Sequence, residues 1–524
     1  MPSSLVDLRP DRRLLDHEFE GYKLNLQALP HYSHELTSPV DRVFPDDVQY
    51  SFIHAKLFAL HNHLVADKWD YTHSFYYIDE KQQVRHISFD NANLTFQNTV
   101  VYDIPAHVER KSGHFNLCLS FPSNTLALVS DGTGYLHIVD TRARSRPAER
   151  NAQWQTQQSS LILGEDKYFI IVDSRIVEKN NTEILHCLLQ SVEQNEAQFD
   201  SVLTWVIFNF DVINSTWCQM SFRQVQGKGI VHYAALESLC SAIYLASDHP
   251  FKFTKDSEKE IVEKKEEIKT ILYTWLQTSE DITITLKLED NFDKKLFRVD
   301  VGPLEVKISY GGKELVSGRL RNRVDSELTT WNVQDNGQVN VLLTKSDSML
   351  WDNLIEDILE SNFLFPVRLD TNHETTHRVP LSVNRYLFSL TIDPQQSPAI
   401  VLRHDVDACI WQPYPTDNRP FLIHEGTLMA FGYIQSSKTN RKFITCPPNL
   451  SYGVVCESSR HIFVYQHRNS GQLRNRSGGV NRLVKVGQQN VFNVERFGEV
   501  VGIEATNDYL FVLTESSLVA IGIQ

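Results

Sequence analysis

A chain of 524 residues, 41% of them hydrophobic, is long enough to bury large cores and to form more than one domain. Its 65 acidic and 51 basic residues leave a formal net charge of −14, which argues against general nucleic-acid affinity, because phosphate binding draws on clustered lysine and arginine. The short runs Arg142/Arg144/Arg146 and Arg319/Arg321/Arg323 do not change that balance. No window approaches the roughly 18 apolar residues of a membrane-spanning helix. The first residues lack the apolar stretch of a secretory signal. Seven cysteines, none in a CxxC pair, predict reduced thiols and a place in the cytosol or nucleus.

Short apolar runs separated by turns begin early in the chain. Ser74–Asp79 leads through Lys81-Gln-Gln to Val84–Ile87, a hairpin pattern. Leu126–Val129, the turn Asp131-Gly-Thr-Gly134 and Tyr135–Val139 form a second. Tyr168–Val172 and Thr204–Phe208 continue the texture, and it resumes at Tyr386–Leu390, His461–Tyr465, Tyr509–Leu513 and Leu518–Ile521. A strand–turn–strand unit recurring every 40 to 55 residues or so is the spacing of propeller blades, without a WD or kelch signature. About four units precede residue 250 and about three follow residue 380. Either part alone would leave raw sheet edges, so one closed ring is predicted, with Phe19–Leu26 pairing against the carboxy-terminal strands.

Between the two parts the texture changes. Lys255–Lys269 alternates acid and base at helical spacing and predicts a solvated helix or linker. Ile282/Ile284/Leu286/Leu288, Phe297/Val299/Val301, Val306/Ile308/Tyr310 and Val339/Val341/Leu343 then place an apolar residue at every second position. Gly302-Pro303, Gly311-Gly312 and Asp335-Asn336-Gly337 supply turns. Six or seven strands in about 80 residues predict a compact antiparallel sandwich. Asp352–Leu364, with Leu354, Ile355, Ile358 and Leu359 on one face, predicts a short helix ending by Pro366.

Within this stretch Tyr273-x-Trp275-x-Gln277, Glu280-Asp281, Gly318-x-Leu320, Val324-Asp325, Glu327 and Thr329-Thr-Trp331 resemble the CS domain of the NudC family. Trp351 stands where such proteins often carry two tryptophans; here Asp352 follows. Phe19–Leu24, Ser130–Gly134, His232–Ala235 and Leu402–Ala408 extend the NudC resemblance over nearly the whole chain. The predicted fold is thus all-β: a seven-bladed β-propeller with an inserted CS (p23-like) antiparallel β-sandwich. Its parts are 1–250 (propeller, about four blades), 251–272 (charged linker), 273–354 (CS domain), 355–380 (short helix and linker) and 381–524 (about three blades).

No GxxxxGK[ST], GxSxG, HExxH or GxGxxG string occurs. In Arg403-His-Asp-Val-Asp407, neighbouring strand residues point to opposite faces, so His404 and Asp405 cannot readily share a metal. A single Asp131-Gly-Thr-Gly134 is a hairpin turn, because the aspartic-protease arrangement needs two such lobes. No catalytic, cofactor-binding or metal residue is assigned, and no cofactor is expected. Candidate protein-binding residues are Trp275, Trp331, Trp351 and the basic edge Arg319, Arg321 and Arg323 beside Lys313. A core or cap role is the first reading of Trp275 and Trp331, since one indole buries much of the area a small β-fold offers. A solvated edge is the alternative for the basic residues. Trp351 lies past the last alternating strand and is expected to be partly exposed, while the arginines take alternate positions of one strand facing an acidic partner. The resemblance implies a non-enzymatic co-chaperone: the CS domain engages an Hsp90-type chaperone, and the propeller captures clients. A scaffold acting through the propeller alone is the second reading. A monomer without membrane or nucleic-acid partners is expected.

Overall fold

Alternating apolar residues make strands here because one face of each must be buried, and the computed structural model builds sheets wherever that alternation is strong. It describes the chain apart from residues 1–3, 6–7, 71–72, 196–197, 262–272, 288–292, 334–337, 349–350, 352–353, 357–366, 379–384, 416–420, 437, 439, 468–469, 473–482 and 524. The turn at 335–337, most of Lys255–Lys269 and most of Asp352–Leu364 therefore lie outside the described residues. Two compact units result: residues 1–261 with 363–524, and residues 262–362.

The larger unit holds seven sheets among the described residues, each an open set of four or more strands. In chain order their main strands span 65–103, 118–161, 170–228, 231–247 with 367–378, 386–428, 441–493 and 500–522. The predicted hairpins are present, with Phe75 opposite Ile87, Leu128 opposite Ile138 and Leu513 opposite Leu518. Each consecutive pair of sheets shares one apolar cluster. Tyr76 and Val129 meet between the first and second, Leu128 and Phe208 between the second and third, and Trp205 and Ile243 between the third and fourth. Tyr244 with Trp411, Phe388 with Tyr465 and Val464 with Val512 continue the series. Phe75 and Phe511 then join the seventh sheet to the first, so the series of contacts is cyclic.

The first 35 residues visit four successive sheets. Ser4–Leu5 runs parallel to Thr375–Arg378 on the fourth sheet, and the Asp11 amide donates to His424 Nδ1 (3.0 Å) on the fifth. Phe19–Leu24 runs parallel to Leu483–Asn493 on the sixth sheet, and His31–Glu35 closes the seventh as its outer strand against Ser517–Gly522. Tyr22 seats between the fifth and sixth sheets, donating to the Met429 carbonyl at 2.7 Å. Gly487 makes room for it: a Cβ there would lie 2.7 Å from the Tyr22 ring.

Several expectations need correction. Lys252–Asp256 is not part of a linker or helix but an edge strand on the third sheet, paired with Thr216–Lys228. Val367–Asp370 and Thr375–Arg378 are strands completing the fourth sheet, where a connector was expected. In chain order the residues of the smaller unit therefore fall between strands of the fourth sheet, not after its last strand. Ile355–Glu356 is a strand, not the start of a helix, because its backbone pairs with Arg319 and Leu320. Two helices differ from expectation: α1, Phe52–Ala59, capped by Ser51, whose hydroxyl accepts from the His54 amide, and the short α2, Phe431–Ser436.

Glu504, on the strand Val500–Ala505, has its carboxyl pushed up to about 7 by burial. A carboxyl with a raised native pKa favours folding when protonated. Its contribution is complete below the unfolded value of 4.5 and is lost as pH climbs through about 7. Glu504→Gln is therefore expected to gain about 1–3 kcal/mol on wild type between pH 5 and 8, read from denaturant titrations of both proteins. A difference that does not change with pH would contradict this.

Candidate protein-binding surface of the inserted unit

Two four-stranded sheets face each other in the smaller unit. One comprises Tyr273–Gln277, Asp281–Lys287, Gln338–Lys345 and Val324–Val333; the other Phe297–Gly302, Glu305–Tyr310, Lys313–Leu320 and Ile355–Glu356. The alternation read from the sequence fills their shared core, with Ile282, Ile284, Leu286, Val306, Ile308, Val339, Val341 and Leu343 all buried.

Strand register places the candidate tryptophans. Trp275 lies opposite Ile284, Ile284 opposite Val341, and Val341 opposite Trp331, so one inward row carries a tryptophan at each edge of the sheet. Trp275 is half-buried against the core. Trp331 is 38% exposed and packs on Phe297, with ring centroids 5.0 Å apart.

Trp351 corrects the expectation of exposure: it is only 3% exposed and belongs to the core. The reason is that the chain does not leave the sandwich after Lys345; it returns to add Ile355–Glu356 to the second sheet. Gln277 fixes this return. Its amide oxygen accepts from the Trp351 backbone N–H at 2.8 Å, and its amide nitrogen donates to the Trp351 carbonyl at 2.6 Å. The buried Lys345 ammonium donates to the same Gln277 oxygen (2.7 Å) and to the Thr278 carbonyl (2.8 Å), and lies 5.8 Å from the Trp351 ring centroid. Gln277 shares the inward face with Trp275, and a polar residue on that face must bond something there. That placement is the sequence signal for its role.

The three arginines do not share one strand. Arg319 is the next-to-last residue of the strand Lys313–Leu320, whereas Arg321 and Arg323 lie in the link to Val324–Val333. All three are exposed. Arg319 stands in register between Glu305 and Glu356, and the nearby Lys307 pairs with Glu314, whose carboxylate raises the Lys307 pKa. That face is of mixed charge. Arg321 and Arg323 instead border the corner Trp351 helps to build: the Arg321 amide donates to the Leu354 carbonyl (3.3 Å), and Arg323 accepts from the Ser346 amide (3.0 Å).

The strings that looked most like chemistry are turns. Asp405-Val406 joins Ala399–His404 to Asp407–Pro413, with Asp405 at φ +53° and Asp407 accepting from the Ala430 amide at 2.6 Å. Asp131 accepts from the Thr133 amide (2.8 Å) and the Tyr135 amide (3.1 Å) inside its hairpin. No group of three His, Cys, Asp or Glu side chains placed to hold a metal occurs among the described residues.

The CS domain family matches residues 271–345. NudC domain-containing protein 1 of Mus musculus is 30% identical over 99% of this chain and 98% of its own length. The chain belongs to the NudC family. The Xenopus tropicalis protein of the same name is also 30% identical, again over 99% of this chain and 98% of its own. Among solved structures, the beta-propeller domain of Myceliophteria thermophila Cps50 (Swd1) aligns with 94% of this chain and 100% of its own, at 7% identity and a TM-score of 0.31. Membership, together with the CS domain, supports a co-chaperone-like or adaptor role for this NudC-family chain.

Proposed function

We propose that this chain is a non-enzymatic adaptor of the cytosol or nucleus, monomeric, whose CS domain engages an Hsp90-type chaperone while the larger unit captures client proteins. The observation that carries the reading is the full-length NudC similarity combined with a CS domain that forms its own compact unit. The larger unit is read as a seven-bladed propeller. What supports this is the count of seven sheets, their cyclic series of apolar contacts, and outer strands supplied by the amino-terminal segment. A ring of that kind hides its sheet edges and offers rigid loop surfaces to partners. On the CS domain, Arg321, Arg323 and Trp331 are the exposed contacts proposed for the chaperone, Arg319 lies on the mixed-charge face beside them, and Trp275 and Trp351 position that surface from within.

Removing residues 262–362 while measuring chaperone association, client capture and client half-life tests the proposal. Chaperone association should be lost and client half-life should fall, with capture retained. Unchanged client half-life without the CS domain would favour a scaffold that works through the larger unit alone.

A further inference from the structure

One side of helix α1 is covered; the other, apart from the partly buried Lys56, presents apolar side chains to solvent. Ile53, His54, Leu57 and Phe58 pack against Phe115, Tyr168, Val192 and Phe199. On the opposite side Phe52 is 84% exposed, Ala55 and Ala59 are exposed, and Leu60 follows exposed at the helix end. In the segment leading to the helix, Phe44, Val48 and Tyr50 are also exposed, at 62%, 64% and 72%, with the Tyr50 ring edge-on to Phe199 (centroids 5.2 Å apart). Concentrated exposed apolar side chains mark interaction sites.

The segment is held firmly. The Lys56 ammonium donates to the Val231 carbonyl, Gln49 Nε2 to the Gly113 carbonyl (2.7 Å), and Asn62 exchanges two 3.0 Å hydrogen bonds with the Ile503 backbone. Its exposed side is thus presented on anchored backbone.

Charge at the end of the helix indicates what covers it. Leu60 borders an open hollow of about 380 Å³ shared with Arg441, Lys442, Arg460, Glu457 and Glu499. The acids there are engaged: Glu499 with Lys442 (2.8 Å) and Arg42 (3.1 Å), Glu457 with His461 (3.1 Å). Two cations are not neutralised. Arg441 donates to the Gln435 and Lys438 carbonyls, and the exposed Arg460 side chain meets no partner among the described residues. Carboxylates on a partner would complete this end, while apolar side chains would cover Phe52 and its neighbours.

We propose that the exposed side of α1 and the Arg441/Arg460 hollow form a docking surface for a short partner-protein segment carrying apolar anchors followed by acidic residues. This deepens the adaptor reading and rests on it for biological use, but the binding is measured apart from any chaperone.

A displayed library of random 12-residue peptides, selected on the full-length protein, tests it. The selected peptides should combine apolar anchors with Asp or Glu and weaken as salt rises. Their affinity should fall about tenfold or more on Phe52→Ser and on Arg460→Glu, since truncating a central contact has effects of that order. It should stay within about twofold on Ile213→Ser, an exposed apolar residue on another turn. Both test residues are exposed, so unchanged melting should accompany the loss. Selection without an acidic–apolar pattern, or equal affinity for the variants, would overturn the proposal. Self-association removed by Phe52→Ser would overturn it too, by making a second copy of the chain the occupant. Peptide binding that survives intact while client capture fails would leave this surface standing and count against the adaptor reading instead.

Discussion

Trp351→Ala is expected to destabilise the CS unit by about 3–5 kcal/mol, the usual cost of emptying a buried tryptophan site. A small domain is stable by only about 5–15 kcal/mol, so this loss is a large share of the total. The indole lies in the shared core, and its backbone is bracketed on both sides by the Gln277 amide. Gln277→Ala should act in the same direction with a smaller effect, about 1–3 kcal/mol, because it leaves buried groups at Trp351 and Lys345 without their partner. Hydrogen exchange resolved by segment checks both. Protection should fall across the strands 281–287 and 338–345 while the larger unit keeps its own. Native protection in Trp351→Ala would mean that the tryptophan is not a core residue.

Arg144→Ala should be as damaging in the larger unit, again by about 3–5 kcal/mol. Arg144 and Asp67 are both fully buried, with Nε donating to Asp67 Oδ2 at 2.7 Å. The guanidinium also donates to the Ser123 carbonyl (2.7 Å) and lies 4.1 Å from the Phe121 ring centroid. Removing the arginine leaves a carboxylate in the interior without its counter-charge, and that desolvation is the main penalty. Arg144→Met with Asp67→Leu should recover much of the loss, since a buried pair replaced together by apolar groups leaves no charge behind. Denaturant unfolding of the single and double variants measures this, and a double variant worse than Arg144→Ala would contradict the argument.

Arg144 also marks how far the sequence could be read. Arg142/Arg144/Arg146 looks like a short basic run, but Arg144 turns inward to Asp67 while Arg146 pairs on the surface with Glu149. Strands whose partners lie a few residues away were legible, because alternation and a turn suffice to set them. Strands recruited from far away were not. Lys252–Asp256 is charged at three of its five positions and becomes a strand only because the third sheet offers an open edge. His31–Glu35 pairs nearly 490 residues downstream, and nothing in its own composition announces that. Helix α1 lacks an amphipathic period because Phe52, Ala55 and Ala59 face solvent while His54 is buried, so the usual signal for a surface helix is missing.

On the CS unit the residue types were legible and their geometry was not. In the motif Tyr273-x-Trp275-x-Gln277 the tryptophan draws the eye, whereas the glutamine determines where Trp351 goes. Alternate numbering suggested that Arg319, Arg321 and Arg323 share a strand, but the chain bends after Leu320 to cross between sheets. A strand end cannot be read from alternation when the next strand begins after only three intervening residues with the same texture.

Sequential affinity purification tests most directly whether this chain bridges a chaperone and a client. An Hsp90-type chaperone is captured first from cells expressing the tagged chain, the eluate is captured through the tag, and the co-purifying proteins are quantified by mass spectrometry. Proteins bound directly by the chain should appear in the doubly purified fraction. With residues 262–362 removed they should vanish from that fraction while still binding the chain itself. Proteins that bind the chain but never accompany the chaperone would contradict the bridging role.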